Sequence, residues 1–130
     1  MTKSEMIENE ISKIESLKLE VEKNPTDINN HLRLGWSYYG EDQMQEAVDA
    51  FQGGIQRFPG DVELLYGLAL SLKKLGKEQE ALKLFKEVVD LVEEVDDQIR
   101  GEMLRRLAIG HANLIEHGDW DLSGEIWERK

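Results

Sequence analysis

Few side chains in this 130-residue sequence have the types and spacing that chemistry requires. The histidines are His31, His111 and His117, and there is no cysteine. His111 shares a helical stripe with two leucines, so we expect it to pack in a core rather than to bind a metal or act as a catalyst. No nucleophile stands beside a plausible base. We therefore expect a protein without enzymatic activity and without a cofactor.

Two further motifs resemble ligand sites but lack the residues that define them. The acidic run 93–97 could hold a hard cation, yet it has neither the alternating ligands nor the turn glycine of a calcium loop. We expect it to be the solvated end of a helix. Gly53-Gly54 lies within a predicted helix and is not followed by the Lys-Ser/Thr of a phosphate-binding loop. The sequence thus predicts neither a metal site nor a phosphate site.

The composition restricts the classes of partner and compartment. A formal net charge of −11 disfavours nucleic acids and anionic membrane surfaces as partners. Solubility accounts for such a charge, and steering of a basic partner is the alternative. No apolar run approaches the roughly 20 residues that cross a bilayer, and the first residues lack the apolar core of a signal peptide. The lack of cysteine permits a reducing compartment, so we expect a cytoplasmic protein.

Helices separated by turn residues account for the whole chain. The first is predicted over 4–23 with Ser4 as its cap, and its apolar side chains recur at steps of three and four: Ile7, Ile11, Ile14, Leu17 and Val21. Pro25 ends it, and Thr26 or Asp27 caps the next helix. Turns at 40–42, 58–61, 74–77 and 118–120 divide the remainder, with helices predicted over 44–58 and 78–95 and from about 122 onward.

The sequence also repeats with a period of 34 residues, which separates three pairs: Pro25 and Pro59, Ala47 and Ala81, Phe51 and Phe85. A third unit, containing Leu104 and Ala108, follows after a longer interval. The spacing His31-x-x-Leu34-Gly35-x-x-Tyr38, followed by Ala47 and Phe51, resembles the tetratricopeptide repeat family. An unrelated helical bundle is the alternative.

The resemblance implies an all-α fold: a right-handed superhelical stack of antiparallel helix pairs. A capping helix would occupy 1–24, two repeats 25–58 and 59–95, and a divergent, C-terminally short repeat 96–130, all in one domain. In the last helix, Ser123 and Trp127 stand at the small and aromatic positions. The short third repeat leaves two interpretations open, a fragment of a longer array or a C-terminal cap.

In this family the first helices of the pairs line a concave groove. If Leu34, Gly35 and Tyr38 face the paired helix, the residues about a third of a turn away face the groove. These candidate binding residues are Asn29, Leu32, Trp36 and Tyr39, then Tyr66, Leu70 and Lys73, and finally Arg105 and Ile109. Large aromatics suit interface hot spots, and the two cations could orient a ligand carboxylate. The alternative for Trp36 and Tyr66 is packing inside the superhelix.

The function that this resemblance implies is a non-catalytic protein–protein interaction module that binds a peptide or a partner helix. The carboxylate clamp found in some members is not expected, because Leu32 and Trp36 stand where that clamp has lysine and asparagine. Two alternatives remain open. One is a self-associating scaffold that forms homo-oligomers. The other is a chaperone-like binder of a secreted protein, because short acidic three-repeat chains with an N-terminal helix resemble such chaperones.

Overall fold

The computed structural model describes residues 2–122, except for the side chains of Ile7, Glu8, Glu10 and Ile11. Within this range the chain forms six α-helices and no strand: α1 (Lys3–Lys23), α2 (Ile28–Gly40), α3 (Met44–Arg57), α4 (Val62–Lys74), α5 (Glu78–Leu91) and α6 (Gln98–His117). The all-α prediction is confirmed. The helix predicted from about 122, with Ser123 and Trp127, lies outside the described residues.

The first helix of each pair begins at an aspartate. Asp27 accepts a hydrogen bond from the backbone N–H of Asn29 at 3.0 Å. At the two following first helices, Asp61 accepts one from the N–H of Leu64 at 2.9 Å and Asp97 one from that of Arg100 at 3.1 Å. Each aspartate satisfies a backbone donor that has no partner within the helix. At α1 the prediction of Ser4 as cap is wrong. Thr2 caps this helix in a reciprocal capping box with Glu5.

Equivalent turns join the two helices of each pair. Asp42 and Gly76, which are 34 residues apart, both adopt left-handed backbone conformations, with φ of 60° and 83°. The residue after each donates a backbone hydrogen bond to a carbonyl of the last helical turn. Gln43 donates to the carbonyl of Tyr38 and Lys77 to that of Leu72, both at 2.9 Å. Such a turn is the usual way to end a helix with its last carbonyls satisfied.

The helices form an open stack. Each packs against the next, and the first helices α2 and α4, and then α4 and α6, also contact each other. Within residues 2–122, the second helices α3 and α5 make no comparable contact, and neither do the end helices α1 and α6. First helices therefore lie side by side along one face, and the structure is a stack of helix pairs rather than a closed bundle. This confirms the predicted architecture.

Small residues let the helices approach closely. Ala47 and Ala81 are completely buried, as their positions in the repeat predict. The ring of Phe51 lies between Gly35 of α2 and Gly67 of α4. A Cβ atom placed on Gly35 would lie 2.4 Å from Cε1 of Phe51, and one placed on Gly67 would lie 2.5 Å from the same atom. Phe51 thus joins one helix pair to the next in a space that no additional carbon could enter.

Polar contacts attach α1 to α2. The buried side chain of Asn30 donates hydrogen bonds to the carbonyl oxygens of Glu20 and Asn24, at 3.3 and 3.2 Å. Nε2 of His31 lies 2.8 Å from the carbonyl oxygen of Pro25. His31 stands at the leading position of the repeat and is only 4% exposed, so this hydrogen bond removes the cost of burying a polar ring.

The connection from α5 to α6 differs from the prediction. The helix predicted over 78–95 ends at Leu91 and is followed by a single turn of 3₁₀ helix, Val92–Glu94. Gly101 packs on this turn, since a Cβ atom there would lie 3.2 Å from the carbonyl oxygen of Val92. The connection over 92–97 is two residues longer than the one over 58–61, which supplies part of the greater spacing of the third unit.

After α6 the chain turns back on itself. Gly118 has a φ of 77° and ends the helix. The ring of Trp120 then covers Gly110, so closely that a Cβ atom at Gly110 would lie 2.0 Å from Cε2 of the ring.

Candidate functional site

Three of the nine predicted groove residues line a cavity of about 810 Å³ between α1 and α2. They are Asn29, Leu32 and Trp36. The cavity is lined by apolar side chains from both helices and by charged groups: Met6, Leu17, Leu32 and Trp36, with Lys13, Arg33, Glu41 and Glu63. The capping helix therefore forms one wall of the site. The positive and negative groups of this lining are equal in number.

A second cavity, of about 470 Å³, lies at the amino-terminal ends of α2, α4 and α6. Its apolar residues are Ile28, Leu32, Val62, Leu91 and Val95, and its carboxylates are Asp61, Glu63, Glu94, Asp96 and Asp97. Arg100 supplies the positive charge in this lining. Asn29, Leu32 and Glu63 belong to both cavities, so the two adjoin along α2. We call the two together the trough.

Trp36 both packs in the core and lines the trough. Its ring makes an edge contact with Phe51, with ring centroids 5.1 Å apart, and another with Tyr39 at 5.5 Å. Trp36 and Tyr39 are half-buried. The ammonium of Lys74 lies 6.0 Å from the centroid of the Tyr39 ring, within the range of a cation–π contact. Tyr39 lines neither cavity of the trough.

Tyr66 packs inside the stack, which is the alternative weighed for it above. It is 8% exposed, and its ring centroid lies 6.0 Å from that of Phe85 and 6.0 Å from that of His111. Burial, with a smaller contribution from Tyr39, raises the pKa of Tyr66 to about 12. Its neighbour on the same helix face, Leu70, is half-buried against the core and lines neither cavity.

His111 stands at the centre of an aromatic cluster between α4, α5 and α6. Its ring stacks on Phe85 with centroids 4.9 Å apart and planes 11° from parallel, and the edge of Trp120 lies at 4.7 Å. Burial, and then the charge of Lys73, lower the pKa of His111 to about 4. The imidazole is therefore neutral at pH 7, and its Nδ1 accepts a hydrogen bond from Nζ of Lys73 at 3.0 Å.

This geometry confirms that His111 is a packed histidine and gives Lys73 a structural partner. Lys73 was expected to offer its charge to a ligand carboxylate. Instead, Lys73 is half-buried and its ammonium donates a hydrogen bond to the imidazole of His111. The contact spans 38 residues, and no periodic signal in the sequence connects the two positions.

The structure does not bring Arg105 and Ile109 together with the other candidates. The side of α6 that faces α4 is marked by Arg100, which forms an ion pair with Glu63, and by His111. A helix turns by about 100° per residue, so Ile109 lies half a turn around the helix from Arg100, and Arg105 nearly as far. Both are turned away from α4, and Ile109 is only 7% exposed.

The part of the site that sequence reasoning missed is the wall contributed by α1. Met6, Lys13 and Leu17 line the larger cavity. The available signal was positional. Since α1 takes the place of a second helix from a preceding repeat, one of its edges must flank the groove-facing side of α2.

Comparison with known proteins agrees with the repeats seen in the fold. The tetratricopeptide repeat profile matches residues 30–61 and 63–92. An uncharacterized protein of Aquifex aeolicus (strain VF5) is 34% identical over 85 residues, which is 65% of this chain. The match covers 11% of that relative, so this chain is similar to only a small part of a much longer protein.

In residues 2–122, no helix has both the length and the apolar character that a bilayer crossing requires. The repeat spacing, the open stack of helix pairs and the profile match at two successive repeats agree with one another. On these grounds, residues 30–61 and 63–92 are two successive repeats of the tetratricopeptide repeat family.

Proposed function

We propose that this protein is a non-catalytic interaction module that binds a peptide or a partner helix in the trough. Tetratricopeptide repeats are in general protein–protein interaction modules, which supports the class of function. The observation that supports the location is the trough itself, where the inner face of α2 and the wall of α1 present an apolar floor with charged edges.

The dimensions of the trough suit a segment of chain. Ligand sites in proteins commonly have volumes of about 300 to 1,000 Å³ and are lined mainly by apolar groups with a few polar ones. The two cavities, of about 810 and 470 Å³, adjoin at Asn29 and Leu32. A ligand that extends from one into the other would pass over these residues.

The test is a selection of short random peptides displayed on phage. Asn29 is exposed and lines both cavities, so Asn29→Tyr should obstruct the trough without disturbing the core. Gln52→Tyr is the matched control, because Gln52 is exposed on α3 and lines neither cavity. We expect a family of enriched peptides that bind the wild type and Gln52→Tyr but not Asn29→Tyr.

Two results would contradict the proposal. One is the absence of enrichment above background, and the other is a set of peptides that bind both variants equally. Sedimentation at several concentrations addresses self-association in the same experiment. If the wild type forms a dimer that Asn29→Tyr abolishes and Gln52→Tyr preserves, the occupant of the trough is a second copy of the chain.

A further inference from the structure

The two ends of the trough differ in charge. The larger cavity is lined by two basic and two acidic side chains. The smaller one is lined by five carboxylates and a single arginine. Both share an apolar floor, of which Leu32 is the common part. A ligand that lies along the trough therefore passes from an apolar site with balanced charge to an apolar site with a strongly negative edge.

We propose that the trough selects a basic amphipathic segment, with a large apolar side chain in the cavity between α1 and α2 and a lysine or arginine in the acidic cavity. This inference rests on the proposed function and specifies the chemistry of the partner. Long cationic side chains are suited to such a site, because their methylene stems pack on apolar groups while the charged end reaches the carboxylates.

The carboxylates of the acidic cavity differ in what they already bind. Asp61 and Asp97 cap helices, and Glu63 forms an ion pair with Arg100. Glu94 and Asp96 are exposed and, within the described residues 2–122, hold neither a helix cap nor an ion pair. These two groups can take a new cation without losing an existing contact.

The charge of the whole chain acts in the same direction. At a formal net charge of −11, the long-range field favours the approach of basic segments and disfavours acidic ones. The field alone would not place the cation. The position is set by the smaller cavity, where Ile28 and Val62 provide the apolar surface beside the free carboxylates.

The experiment uses the peptides from the selection described above and two double variants. Glu94→Gln with Asp96→Asn removes the two free carboxylates of the acidic cavity. Glu87→Gln with Asp90→Asn is the matched control, because it makes the same change in net charge at exposed positions of α5 outside both cavities. Affinity is measured by fluorescence anisotropy with labelled peptides at low and high salt.

We expect the peptides that Asn29→Tyr excludes to carry lysine or arginine near a large apolar residue. Loss of the two free carboxylates should weaken their binding roughly two- to tenfold, as exposed ion pairs do. The control variant should change it by much less, and high salt should reduce the difference.

The outcomes separate this inference from the proposed function. Trough-binding peptides without basic residues, or an equal effect of the two double variants, would overturn the inference and leave the proposed function standing. If no peptide is sensitive to Asn29→Tyr, both are refuted.

Discussion

Gly35→Ala and Gly53→Ala add the same methyl group to adjacent helices, and we expect them to change the free energy of unfolding in opposite directions. At Gly35 the new Cβ atom would lie 2.4, 2.6 and 2.7 Å from three carbons of the Phe51 ring. The ring has no free space to move into, because a Cβ atom placed on Gly67 of α4 would lie equally close to it and Phe51 is completely buried. The strain must therefore be taken up by movement of the helices.

The magnitude follows from two opposing effects. Overpacking of a well-filled core costs about 1 to 3 kcal/mol, and the confinement of Phe51 on both sides places Gly35→Ala at the upper end of this range. Replacing glycine by alanine within a helix contributes about 1 kcal/mol of stabilisation. The net result is a destabilisation of about 2 kcal/mol.

Gly53 is the internal control, because a Cβ atom placed there would meet nothing within 4 Å. Only the helix-propensity effect remains, so Gly53→Ala should stabilise the protein by about 1 kcal/mol. Urea denaturation followed by far-UV circular dichroism measures both values. For a domain of this size, 1 kcal/mol corresponds to a change in melting temperature of about 4 °C, so heating should show the same order.

The reasoning would be refuted by a Gly35→Ala variant as stable as the wild type. It would equally be refuted by a Gly53→Ala variant that is less stable than the wild type. Either result would mean that the packing of Phe51 between the two glycines does not limit the approach of the helix pairs.

Three further predictions follow from individual contacts. Asp42→Gly should stabilise the protein by about 1 kcal/mol in thermal unfolding, because glycine adopts the left-handed conformation found there at no steric cost. Asp61→Ala should lower stability by about 1 kcal/mol in the same assay, because it leaves the backbone N–H of Leu64 without its cap. The lowered pKa of His111, about 4 in the folded protein, means that the unfolded chain binds a proton first as the pH falls. The stability that comes from burying the neutral imidazole is present above about pH 6.5 and is lost as the pH falls toward 4. A His111→Asn variant should therefore lose stability less steeply than the wild type between pH 7 and 4.5. NMR should show that the imidazole of His111 titrates near pH 4.

The helices and their pairing could be predicted from the sequence because each boundary carries its own local signal. Aspartate precedes the first helix of every pair, and Gly76 marks the left-handed turn that ends one of them. Small and aromatic residues at a fixed spacing then identify the contacts between helices. Ala47 and Phe51 are completely buried, as that spacing requires.

The third unit shows why the groove residues there could not be placed by extending the same pattern. The groove side of a helix depends on its rotation, and a helix rotates by about 100° for each residue of displacement. The 3₁₀ turn Val92–Glu94 changes the entry into α6. It lengthens the entry, so that Asp97 caps α6 36 positions after Asp61 caps α4 instead of 34. The side of α6 that meets α4 carries Arg100 and His111 rather than Arg105.

Contacts between distant parts of the chain have no periodic signal at all. The hydrogen bond of Lys73 to His111 and the packing of Trp120 on Gly110 join residues of different repeats or fold a segment back on its own helix. They depend on three-dimensional proximity alone. The wall formed by α1 differs from these contacts, since it follows from the place of α1 as a second helix before α2.

In the described part of the chain, α1 packs mainly against α2, whereas every other helix packs against at least two neighbours. In a stack of this kind, the free energy that opens an end unit is set by a single interface. Of the helices described, the one that flanks the larger cavity therefore has the fewest packing partners. A ligand bound in the trough, as proposed above, would contact both α1 and α2. Binding would then give α1 a second attachment, and amide hydrogen exchange would slow in α1 more than in the other described helices.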